Sequence, residues 1–175
     1  MSVLVLGLGN PILSDDGVGW HVVDAVERLL QDRPTPLSAV EAGPPLEAQL
    51  GEHIEFDRVS VGGLALMERL VGYDRAVLVD AIQTRDGLPG ALYRLSLDDL
   101  PTLHADSVHD ASLKAALALG RQLGADLPEE LAIFAIEVLD PWTFGETLSP
   151  GVQSGVVPAA EAVLRVVRDP RAQRR

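Results

Sequence analysis

A chain of 175 residues with 47% hydrophobic content fits one domain with a sizeable core, taken as residues 1–168 ahead of a polar tail at 169–175 expected to be disordered. A net charge of -12 repels phosphate, which argues against nucleic acid and against an anionic membrane surface as partners. The absence of cysteine excludes disulfides, thiolate zinc sites, iron–sulfur clusters and a cysteine nucleophile.

The first apolar run, residues 3–6, is bounded by Gly7 and Gly9 and reads as a buried strand. No basic region precedes it, and it is too short for a signal-peptide core or a membrane span, so a cytoplasmic protein is expected. Ser14 and Asp15 are helix N-cap types, and Val18, Val22, Ala25, Val26 and Leu29 then recur at helical spacing. Strand, glycine turn and helix together open a doubly wound sheet.

Pro34, Pro36, Pro44 and Pro45 mark residues 34–52 as a loop-rich insertion. Residues 54–61 alternate as a strand does, and Gly62-Gly63 leads into a helix over 64–71. Residues 76–79 form a second continuous apolar run, which Asp80 is expected to close. Pro89-Gly90 is a turn, and 91–95 fits an edge strand. A helix over 110–124, a third buried strand over 131–138, a loop holding Pro141, Gly145 and Pro150, and a last helix over 152–168 follow. Pro158 is expected to bend that helix or to lie near its first turns. Buried strands alternating with helices predict an α/β fold with a mostly parallel sheet and helices on both faces.

Ligands of open α/β sheets bind outside the carboxyl ends of the strands. Three features fall there: Gly7-Leu8-Gly9-Asn10-Pro11 leading to Asp15-Asp16-Gly17, Asp80 after the second apolar run, and Ser107-Val108-His109-Asp110 before a helix. Two carboxylates and an imidazole on three loops are a reasonable donor set for a divalent metal. Each also has a plainer reading. Asp15 or Asp16 alone fits a helix cap, Asp80 a turn residue, and His109 a cap or surface side chain. His104 is the rival imidazole; His21 fits a helix surface or core, and His53 a loop. The glycine turn has Ile12 where the dinucleotide fingerprint has its third glycine, and there is no Gly-x-Ser-x-Gly elbow. The residues alone leave a metal site and a set of unrelated local roles both open.

Gly7-Leu8-Gly9-Asn10 followed by Asp15-Asp16-Gly17-Val18-Gly19 resembles the opening signature of the hydrogenase maturation protease family. Val79-Asp80-Ala81-Ile82 resembles its second signature and Ser107-Val108-His109 its third. Gly145 with Leu148-Ser149-Pro150-Gly151-Val152 is similar to a fourth, so the resemblance runs over roughly residues 3–168. It implies a three-layer fold with a twisted, mostly parallel five-stranded sheet. It also implies an aspartyl-type endopeptidase that removes the C-terminal extension of nickel-iron hydrogenase large subunits after nickel insertion. Asp16, Asp80 and His109 fall on the family's metal-contacting positions, the nickel being carried by the substrate. Where members often have an Asp-Gly-Gly-Thr-like stretch, this chain reads Asp57-Arg58-Val59-Ser60-Val61-Gly62, which leaves open which hydrogenase is the substrate.

Two other readings compete. A non-catalytic nucleotide- or metal-binding module would use the glycine turn at a helix N-terminus, although Asp15 and Asp16 would repel a phosphate there. Peptidyl-tRNA hydrolases also open with a Gly-Leu-Gly-Asn-Pro-like stretch, but they continue with a glycine where this chain has Ile12, and its acidity suits tRNA badly.

Overall fold

The computed structural model describes residues 1–31, 53–99 and 110–168, leaving aside the side chains of residues 110–112. The expected insertion over 34–52, both His104 and His109, and the tail at 169–175 lie outside these residues.

Strand β1 (Ser2–Leu8) enters a short 3-10 turn (Ser14–Gly17) and helix α1 (Val18–Gln31). Then come β2 (His53–Val59), α2 (Gly63–Arg69), β3 (Arg75–Ile82) and β4 (Leu92–Leu95). The chain continues through α3 (Asp110–Gln122), β5 (Glu130–Glu137) and α4 (Pro150–Arg168). The strands form a five-stranded sheet in the order β2-β1-β3-β5-β4. All neighbours are parallel except β4, which runs antiparallel to β5.

The two faces of the sheet are divided by strand alternation. Val3, Val5, Val77, Val79, Phe134 and Ile136 point towards α1 and α4. Leu4, Leu6, Leu8, Ala76, Leu78 and Ile133 point towards α2 and α3. Every residue of β3 is buried, which is why residues 76–79 within it read as an unbroken apolar run rather than an alternating one. Helix α1 presents Val18, Val22 and Val26, all fully buried, at one-turn spacing. Each such side chain contributes about 1.5–3 kcal/mol by leaving water.

Three expectations are revised. Asp80 does not close β3: the strand runs on to Ile82, and Asp80 is a buried strand residue paired with Ala135. The hydrogen-bonding ladder to β5 carries the chain past the carboxylate. Pro158, expected to bend the last helix or to lie near its first turns, sits inside a helix that starts two residues earlier than expected, at Pro150. Burial of Val152, Val156, Ala159, Ala160 and Val163 along one stripe holds the helix together across the proline. His53 is the first residue of β2 rather than a loop residue, and its ring faces Glu55.

Candidate active site

The chain order leaves β1 towards β2 on one side and resumes at β3 on the other. The β1/β3 boundary is therefore the point where the connections part, and the carboxyl edge there is the crevice of a doubly wound sheet. Asp80 comes to this edge on β3. Val79 pairs with Gly7, so the next row of the sheet places Asp80 beside Leu8. Asp80 shares the face of Ala76 and Leu78, the side covered by α2 and α3. It is 5% exposed, and its Oδ1 accepts the amide of Ala81 at 2.8 Å.

Asp16 reaches the same edge from the 3-10 turn, which lies against β3. The turn is held close to the end of β1. Gly9 has φ of 122°, and a methyl there would lie 1.9 Å from the carbonyl oxygen of Asp16. Only glycine tolerates both the left-handed backbone and that approach. The carboxylate of Asp16 bends back, its Oδ2 accepting the amide of Asn10 at 2.6 Å. Ser60, just after β2, donates its hydroxyl to the carbonyl of Gly9 at 2.7 Å and steadies the glycine turn from the other side.

Neither Ser14 nor Asp15 caps α1, as the sequence suggested. Leu13 precedes the 3-10 turn, and no side-chain cap forms. Asp15 points inward instead and is fully buried. Its Oδ1 accepts the amide of Ser149 at 2.6 Å. Its Oδ2 accepts the amides of Leu139 and Asp140 at 3.1 and 2.9 Å and the Ser149 hydroxyl at 2.9 Å. A buried carboxylate is tolerated because hydrogen bonds replace its hydration. Asp15 thereby fastens the strap between β5 and α4 onto the turn that carries Asp16.

The fastening continues along the strap. Ser14 donates its amide to Gly145 at 2.7 Å and its hydroxyl to Thr147 at 3.0 Å, and Gly145 donates to Ile12 at 3.0 Å. Within the strap, Asp140 accepts the amides of Trp142 and Thr143. Hydrogen bonds from Thr143 and Trp142 hold the Asp140 carboxyl below its usual pKa. On the far side of the crevice, the buried Glu137 at the end of β5 accepts the amide and hydroxyl of Thr84 at 2.7 and 2.9 Å. Burial first, and then Glu137, raises the pKa of Tyr93.

The structure thus brings Asp16 and Asp80 to one edge from separate elements. His109 and His104 lie outside the described residues. Among the described residues, no group of three or more His, Asp or Glu side chains is placed to hold a metal ion. Sequence reasoning missed the anchoring roles of Asp15 and Glu137. An acidic residue next to a glycine turn reads as a cap, and nothing local announces a partner more than a hundred positions away.

A sequence model of the hydrogenase maturation protease family matches residues 60–166. The chain is similar to the hydrogenase 2 maturation protease of Escherichia coli strain K12, 26% identical over 97% of this chain and 92% of that protein. It is also similar to the hydrogenase expression/formation protein HupD of Rhizobium leguminosarum bv. viciae, 28% identical over 95% of this chain and 74% of that protein. Among solved structures, the hydrogenase maturating endopeptidase HybD from E. coli superposes with a TM-score of 0.72. It is 26% identical and covers 96% of this chain and 93% of its own. The hydrogenase maturation protease HybD from Thermococcus kodakarensis gives a TM-score of 0.61 at 26% identity, covering 95% of this chain and 99% of its own.

Proposed function

The chain belongs to the hydrogenase maturation protease family, a family of endopeptidases, and on that premise we propose that it removes the C-terminal extension of a nickel-iron hydrogenase large-subunit precursor once nickel is in place. What supports this reading is the placement of Asp80 on β3 beside the end of β1, with Asp16 in the turn that lies against β3. Two carboxylates on rigid elements are suitable oxygen donors for a divalent ion presented by a partner. His109, one residue before α3, is the proposed third donor.

The nickel belongs to the substrate. Three donors from the protease leave coordination positions for the precursor's own ligands, so the ion joins enzyme and substrate only when it is already loaded. Cleavage then adds water across one amide bond, hydroxide going to the acyl carbon and a proton to the departing nitrogen. Asp16, Asp80 and His109 orient the loaded precursor at the bond. The proposed place of action is the cytoplasm; among the described residues no helix is long and apolar enough to cross a membrane.

The test uses purified large-subunit precursor with and without nickel. Wild-type protein should shorten only the nickel-loaded form. Asp16→Ala and His109→Ala should keep their fold and lose cleavage, whereas His104→Ala should keep most of it. Equal cleavage of both precursors would overturn recognition through the metal. Loss of activity on changing His104 but not His109 would reassign the imidazole.

A further inference from the structure

The strap over residues 139–149 is fixed from below and apolar above. Pro141 and Leu148 are buried, and Asp15 and Ser14 tie its backbone to the Asp16 turn. Yet Trp142 is 64% exposed and Phe144 80% exposed. Leu139 and Ile12, the latter hydrogen-bonded through its carbonyl to Gly145, are exposed beside them. Large aromatic side chains held out on an ordered backbone forgo the gain of burial, and they mark surfaces that a partner covers.

The location says which partner. The strap borders the crevice on two sides: its backbone bridges to Leu13, and Leu139 accepts a hydrogen bond from Gln83, just past the end of β3. The electrostatics narrow the choice. No lysine or arginine occurs from residue 122 to 164, while Asp140 and Glu146 lie in the strap and Asp16 in the turn tied to it. A second copy of this chain, itself at -12, would meet like charge across such a face. A segment with apolar and cationic side chains would meet both complementary chemistry and a site next door.

We propose that Trp142 and Phe144 form the docking surface for the C-terminal extension of the precursor, recognised as an apolar and cationic polypeptide segment. This rests on the endopeptidase reading above and adds to it a recognition element separate from the metal. Binding the extension here holds the polypeptide across the carboxyl edge while the nickel centre engages Asp16 and Asp80.

The experiment reads binding and turnover separately. In a Trp20→Phe background Trp142 is the sole tryptophan. Its emission should shift to the blue on addition of nickel-loaded precursor and stay unchanged with mature subunit lacking the extension. Trp142→Ala/Phe144→Ala should melt as the wild type does. It should raise KM by roughly tenfold or more with kcat nearly unchanged, as expected for loss of an interface anchor. Added salt should weaken binding of the wild type. An unchanged KM in the double variant overturns the proposal. So does an equal emission shift with mature subunit, because the body of the subunit would then be the occupant. An emission shift without any cleavage by the parent protein supports the docking surface while removing the endopeptidase reading, so the two failures are distinct.

Discussion

Asp15 receives both the amide and the hydroxyl of Ser149, at 2.6 and 2.9 Å, across 134 positions of sequence. This pairing makes neighbouring aspartates separable by experiment. Asp15→Ala leaves the donors of Leu139, Asp140 and Ser149 without their acceptor and should cost about 3 kcal/mol or more. Asp16→Ala removes one accepted hydrogen bond at a half-buried site and should cost no more than about 1–2 kcal/mol. Urea denaturation should show a large drop in midpoint for the first and a small one for the second. Similar midpoints for the two variants would mean that Asp15 does not carry the strap.

Glu137 and Gly87 form a second coupled pair. A methyl at Gly87 would lie 1.9 Å from the carboxyl carbon of Glu137, which is itself held by Thr84. Gly87→Ala and Glu137→Ala should each destabilise the protein. In the double variant the methyl no longer meets the carboxyl group, so the combined loss should fall short of the sum by about 0.5–3 kcal/mol. A double-mutant cycle of denaturation free energies measures this, and strict additivity would count against the steric account.

Tyr73 donates its hydroxyl to Glu55, and that hydrogen bond, with partial burial, pushes the phenol up to about 12. The folded protein therefore holds this proton more tightly than the unfolded chain, whose tyrosine titrates near 10.0. The stabilisation is fully present below pH 10 and is lost as pH rises through about 12. Phenolate absorbance in a Tyr93→Phe variant should show one ionisation near the upper value. A step at the ordinary position would show that the Glu55 contact is not maintained in solution.

Pro158 has no amide to donate to the carbonyl of Ser154 within α4. It is exposed, as is Ser154, so that carbonyl is open to solvent, but the helix still carries a poor helix former. Pro158→Ala should raise stability by about 1–2 kcal/mol after allowance for the greater freedom of the unfolded chain. Calorimetry would record a higher melting temperature; a lower one would mean that the pyrrolidine ring packs in a way alanine cannot replace.

The layout of strands was legible because buried parallel strands announce themselves as unbroken apolar runs, as residues 76–79 do. Helix α1 was legible from its one-turn repeat of valines. Strand ends were not: a carboxylate inside β3 looks like punctuation in a sequence, because the pairing of Asp80 with Ala135 is a tertiary fact. The same holds at Asp15, where local rules favour a cap and the fold uses the side chain as an anchor for a distant loop. Asp16 and Asp80 were singled out by their motifs and by the rule for strand ends, and their positions in the turn after β1 and near the end of β3 follow from the fold. The exposure of Trp142 and Phe144 had no local signature, since an aromatic in a loop is as readily a core residue as a surface one.

The long sequence separation of the Asp15 contacts also sets an order of assembly. The aspartate is synthesised 124 residues before the first of its partners and 134 before Ser149. Until β5 and the strap have emerged from the ribosome, the turn bearing Asp16 has no clasp, and closing so large a loop comes late in folding. The clasp on the turn bearing Asp16 therefore forms only once the chain through Ser149 has been made. A nascent chain arrested before Leu139 should therefore remain open to limited proteolysis near residues 10–17, and protection should appear once the stretch through Ser149 has been released.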